Sequence, residues 1–191
     1  MTELLRRVCG FLLRGVDFVY HWRHHSEIVG PMLLISPSVH SGPDQTFEDG
    51  TLVREGDNIG AIHFNNQTTI KLRSHSSRAA ASHFMKLLIE SLEALARRSV
   101  DDPVFQKYSA YCGITWLPPH GGKLGFVTVP IEDSPRKKNL RRFFSLLVWI
   151  VAPAEESRKA AKPEPIAYWM TRKQLLSQYL EDRRQEERAS L

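Results

Sequence analysis

Hydrophobic positions along this chain recur with two periods, near 3.6 residues and near 2, and the switches between them outline the elements. In residues 4–22, Leu4, Leu5, Val8, Leu12, Val16 and Val19 return at helical spacing with Arg6, Arg7 and Arg14 between them. Gly10 and Gly15 weaken that helix, each by roughly 1 kcal/mol relative to Ala. Phe84, Leu87, Leu88, Leu92 and Leu95 draw one apolar stripe on a second helix. Ser76 or Ser77 can cap it, and Arg97-Arg98 suits the negative end of its dipole. Ser134-Pro135, a cap followed by Pro in the first turn, opens a third helix reaching residue 152. Thr171 with Gln174 three residues on fits a capping box for a last helix through Arg184. Leu175, Leu176, Tyr179 and Leu180 form its apolar side.

Period-2 runs fill the gaps. Residues 28–36 read as one strand with Pro31 marking an edge, and 37–47, rich in Ser, Pro, Gly and Asp, as a loop. The stretch 49–73 organises the chain. Its turn signals, Asp49-Gly50 and Glu55-Gly56-Asp57, frame a hairpin from Leu52 through Asp57 to Phe64. Alternation along its second strand puts Ala61, His63 and Asn65 on one face and Ile62 and Phe64 on the other. Asp101-Asp102-Pro103 opens a short turn or helix. Runs 112–117 and 123–129, joined by Pro118-Pro119-His120-Gly121-Gly122, predict an antiparallel hairpin, and 165–170 a final strand. Strands clustered around isolated helices predict an α+β fold. The expected architecture is a small, mostly antiparallel sheet built from hairpins with several packed helices. It forms one domain over 1–180, with an amphipathic N-terminal helix in 1–25 and a charged tail at 181–191.

Composition narrows the class without naming a reaction. The 191 residues are 42% hydrophobic and 25% charged, ordinary for a globular domain, and the net charge of +5 favours an anionic partner. Cys9 and Cys112 are far apart, which suits a reducing compartment, and Cys112 is expected to be a buried, inert thiol. No segment has a signal-peptide pattern or a run of about 18 apolar residues, so the expected location is cytoplasmic, peripheral on the inner membrane face. Adjacent His24-His25 would point to opposite faces of a strand, so no metal site is expected there. There is no nucleophile elbow, Walker loop or dinucleotide fingerprint, and no cofactor is expected.

The third helix carries the sharpest contrast. Arg136, Lys137, Lys138, Arg141 and Arg142 crowd its positive end, where each exposed cation costs roughly 0.3–1 kcal/mol. Phe143 and Phe144 follow, then an apolar run through Trp149 to residue 152 with no solvated face. It is either a buried central helix with a solvated basic start or an in-plane anchor on an anionic leaflet. Nucleic acid fits less well, because no stacking aromatics are interleaved with the basic run.

His63 is the one candidate catalytic residue, as a general base or a hydrogen-bonding partner for an acyl or sugar oxygen. Asn65 is placed to bind beside it, Asp57 to orient the imidazole, and Lys71 and Arg73 to take a phosphate. Thr115, in the later hairpin, joins them as a binding candidate. The plainer reading is a polar strand end with Asp57 making a turn.

The chain resembles the YkoP-like domain family. The matching pieces are Asp49-Gly50; Gly56-Asp57-x-Ile59-x-x-Ile62-His63-x-Asn65; Gly113-Ile114-Thr115-x-Leu117; Leu124-Gly125-Phe126; and Trp169-Met170-Thr171-Arg172-x-x-Leu175-Leu176-x-x-Tyr179. Such domains occur alone and attached to bacterial polysaccharide deacetylases, so the resemblance implies an envelope or polysaccharide setting by association. The deacetylase's metal-binding motifs are absent. The expectation is a membrane-proximal binding or accessory module in a cell-envelope polysaccharide or lipid-linked pathway. Its partners would be an anionic membrane surface and polysaccharide-processing enzymes. Two alternatives stay open: a small transferase or hydrolase using His63 on a lipid-linked or acylated sugar, and a soluble oligomerising scaffold.

Overall fold

The computed structural model describes residues 22–65, 68, 77–115, 124–151 and 164–181. The expected N-terminal helix up to residue 21, Lys71, Arg73 and the tail beyond Glu181 fall outside them, as does the connector at 118–122.

Eight strands and three α-helices make up the described part. The strands are β1 Glu27–Val29, β2 Leu33–Val39, β3 Gln45–Thr46, β4 Leu52–Val53, β5 Asn58–Phe64, β6 Ala110–Thr115, β7 Val127–Pro130 and β8 Ile166–Thr171. The helices are α1 Ser77–Asp101, α2 Pro135–Val151 and α3 Arg172–Leu176, the last running into a π turn at Ser177–Glu181. Six strands form one sheet in the order β1-β2-β5-β6-β8-β7, antiparallel except for the parallel pair β5–β6, and β3–β4 form a separate two-stranded sheet. The α+β expectation holds.

The pairings depart from the expected hairpins in three places. The single strand at 28–36 is instead β1 and β2, folded back on each other at Gly30. That glycine sits at φ +62, and a Cβ there would lie 2.6 Å from the Cα of Ser91. Only a residue without a side chain lets α1 come this close. Ser91 seals the contact, its hydroxyl accepting from Met32 N–H at 2.9 Å and donating to the Leu87 carbonyl at 2.8 Å. Next, β4 pairs with β3 and not with β5, which lies between β2 and β6. Finally, β6 and β7 are not neighbours, because β8 inserts between them. The intervening residues, α2 among them, are long enough to let the later strand take the inner position.

Alternation assigns each face its work. Leu33, Ile35, Ile62, Tyr111 and Met170 meet Leu88, Leu92 and Leu95 of α1 and Leu175 and Tyr179 at the C-terminal end. Gly60 belongs to this layer, since a Cβ would sit 2.5 Å from the Tyr111 ring. Tyr111 ends in a 2.6 Å hydrogen bond with Ser99, and burial pushes its hydroxyl up to about 12. The other face carries a smaller core in which Phe47 and Val53 of the β3–β4 hairpin cover Ile59, Ala110 and Trp169.

Thr171 caps α3 as the spacing predicts, its hydroxyl accepting from Gln174 N–H at 3.0 Å. The same hydroxyl donates to Asp49. Asp49 also accepts from Thr51 N–H at 2.8 Å, and its carbonyl accepts from Lys173 Nζ at 2.7 Å.

Candidate functional site

His63 stands near the end of β5 on the face away from α1. Its register partner is Leu34 on β2, while Ala61, two residues back, pairs with Ser36 and Cys112. Cys112 in turn pairs with Trp169 on β8. His63, Ala61, Cys112 and Ile114 are all half-buried, and the His63 Nε2 atom itself is out of contact with solvent. Cys112 lies mid-strand and partly accessible, where the sequence reading expects it buried.

Of the partners proposed for His63, Asp57 and Thr115 do not converge on it. Asp57 precedes β5, and six residues of extended chain at about 3.3 Å each put it roughly 20 Å away. Its carboxylate accepts from Arg54 N–H at 2.8 Å, so Asp57 makes the turn and does not orient the imidazole. Asn65 spends its Oδ1 on the N–H of Thr68 at 3.4 Å, while its own N–H continues the ladder to the Met32 carbonyl at 2.8 Å. Thr115 is buried on the α1 side of the sheet, the side of Gly113 and Ile62, so it and His63 point opposite ways. Lys71 and Arg73 lie outside the described residues. Among those that are described, no group of three or more His, Cys, Asp or Glu side chains could hold a metal.

The second candidate surface is α2. Lys137, Leu140, Arg141, Phe144 and Val148, spaced 0, 3, 4, 7 and 11, form its more covered side, from Phe144 at only 5% exposed to Arg141, whose side chain is 43% exposed at the margin. Lys138, Asn139, Arg142, Phe143, Ser145 and Leu146 are exposed on the outer side, Phe143 at 42% and Leu146 at 43%. The helix is therefore two-faced, and not wholly apolar in its setting. The side chains of Arg136 and Trp149 lie outside the description.

The basic collar divides along the same line. Arg141 grips Glu164, at the foot of β8, through two hydrogen bonds of 2.8 and 2.7 Å. Lys137 Nζ reaches Glu164 at 3.0 Å and Asp133 at 3.2 Å. The paired guanidinium of Arg141, and then Lys137, hold the Glu164 carboxyl down to about 2. No carboxylate among the described residues pairs with Lys138 or Arg142. Glu164 was not among the residues expected to matter; its only signal in the sequence is an acid between two prolines just ahead of a strand.

The pieces that carry the family resemblance meet in space. Thr171 bonds Asp49, the Tyr179 hydroxyl donates to the Leu124 carbonyl at 3.1 Å, and Gln178 lies against Gly125. A Cβ at Gly113 would crowd the Ile62 carbonyl at 3.2 Å. Those contacts fix an architecture.

The fold and surfaces define a single α+β domain with an exposed basic-apolar helix face beside a six-stranded sheet. The family described as YkoP domain matches residues 6–179, and the chain belongs to it. No curated protein and no solved structure matches the chain.

Proposed function

We propose that this YkoP domain is a membrane-proximal binding or accessory module, with the outer side of α2 as its contact with an anionic lipid surface. The observation that carries the reading is the exposure of Phe143 and Leu146 alongside Lys138 and Arg142 on one helical side. Lys138, Arg142 and Leu146 are spaced four apart, and Phe143 flanks them, so cations and apolar groups lie along one line of contact. A surface rich in negative headgroups over an oily interior offers both complements at once. No helix among the described residues is long and apolar enough to cross a membrane, so the contact proposed is in-plane. A setting in cell-envelope polysaccharide or lipid-linked chemistry comes from the family resemblance alone.

The test is flotation of the whole chain with phosphatidylglycerol-containing and purely phosphatidylcholine vesicles. The reading expects binding that requires the anionic lipid and weakens with added salt. It also expects loss of binding on Phe143→Ser with Leu146→Ser. Equal flotation with both vesicle types, or none, overturns it. Association of the free chain through the same residues, seen by sedimentation and abolished by that double substitution, would assign the surface to self-assembly instead.

A further inference from the structure

Adjacent residues Arg141 and Arg142 have the same side chain and different partners, although the Arg141 side chain is itself 43% exposed. Arg141 is held in a forked contact by Glu164, which also takes Lys137, while Asp133 holds Lys137 from the other side. Lys137 is nearly covered, its side chain 13% exposed. Arg142 and Lys138 stand on the outer side, one turn apart.

We infer that Glu164 and Asp133 sort this collar into a silenced pair, Lys137 and Arg141, and an available pair, Lys138 and Arg142, so that among the described cations a lipid phosphate is met by the second pair. The inference rests on the membrane-facing reading of α2 and gives it a residue-level rule. A fork between guanidinium and carboxylate satisfies both groups with paired, charge-assisted bonds, so Arg141 has no unmet demand for an anion. A phosphate approaching it must displace Glu164 or share the cation with it. At Arg142 the same phosphate displaces no carboxylate of the described residues. Glu164 thus acts as an internal counter-anion that lowers the collar's pull on a negative surface. Its carboxyl, held below the ordinary range by Arg141 and then Lys137, stays ionised well into acid. Its position two residues ahead of β8 ties that counter-charge to the sheet, and the tie is independent of the lipid.

The experiment measures partitioning of the full chain onto phosphatidylglycerol/phosphatidylcholine vesicles for four variants. Arg142→Gln should weaken partitioning roughly five-fold, the loss expected for one cation near an anionic surface. Arg141→Gln should stay within about two-fold of the native chain, because its charge is already answered. Glu164→Gln should strengthen partitioning several-fold by releasing both silenced cations. Lys138→Glu with Arg142→Glu should abolish it. Equal losses for Arg141→Gln and Arg142→Gln overturn the inference, as does a Glu164→Gln chain that binds no better than the native one. Should Glu164→Gln melt early, the Arg141 and Arg142 comparison decides by itself. Native-like flotation of the double Glu variant would instead bring down the underlying membrane reading.

Discussion

The Thr171 hydroxyl donates to the carboxylate of Asp49, 122 residues earlier in the chain, while accepting from the N–H that opens α3. One side chain thereby ends β8, caps a helix and fastens the β3–β4 hairpin over Trp169. Burial alone would raise the Asp49 carboxyl. The hydrogen bonds from Thr171 and Thr51 and the charge of Lys173 outweigh it, and the group sits below its ordinary value of 3.8.

Thr171→Val should destabilise the fold by about 1–2 kcal/mol, the loss of an N-cap with a carboxylate left short of a donor. A folded-state value below the unfolded one contributes stability that is fully present above about pH 4 and lost as the pH falls through the lowered range. The gap between native and Thr171→Val chains in urea melts should therefore narrow below pH 4. Thr171→Ser should keep most of the stability. A gap that stays constant down to pH 3 would detach Asp49 from this role.

Gly30→Ala should cost more than about 2 kcal/mol, because a left-handed residue gains a Cβ in contact with the backbone of α1. Gly50 also has a positive φ, +80, but nothing within 4 Å of its would-be Cβ. Gly50→Ala isolates the backbone term and should cost only about 1 kcal/mol. Thermal melts of the two variants would separate strain from collision, and similar losses would contradict the close approach.

Ser99 and Tyr111 share a buried 2.6 Å hydrogen bond, and Ser99 also bonds the Leu95 carbonyl at 2.7 Å. Tyr111→Phe and Ser99→Ala should each cost about 1–2 kcal/mol, with the double variant losing less than their sum. Strict additivity in a double-mutant cycle would show that the pair is not coupled.

His63→Ala should leave vesicle partitioning unchanged, since the imidazole lies on the sheet and not on α2. Its expected effect is a modest loss of stability, about 1 kcal/mol. A variant that folds normally but no longer binds vesicles would link the sheet face to the membrane contact.

How much of this was legible beforehand differs by element. The stripe from Phe84 to Leu95 and the Ser134-Pro135 start marked α1 and α2 closely, and the Thr171–Gln174 cap was found where its spacing put it. Periodicity and capping are properties of a few consecutive residues, so each element carries its own record. Strand partners are not local. Nothing within 123–129 says that β8, arriving some forty residues later, will be preferred over β6. Nothing in Leu52-Val53 says that Gln45-Thr46 will outcompete Asn58–Phe64.

The candidate site divides the same way. That His63 and Asn65 stand at one strand end followed from the sequence. That Asp57 and Thr115 are out of reach followed from strand length and from the side of the sheet each residue faces.

By itself, the order of residues determined an α+β chain, where its described helices start, the side-chain alternation of β5 and a basic collar leading into apolar residues. Tertiary structure alone decided which strands touch, that Phe144 turns inward while Phe143 and Leu146 turn outward, and that Glu164 claims Arg141 but not Arg142. The reason is physical. Local periodicity is set by bond geometry within a turn or a pleat, whereas the choice among partners is a competition between distant segments that only the closed fold resolves.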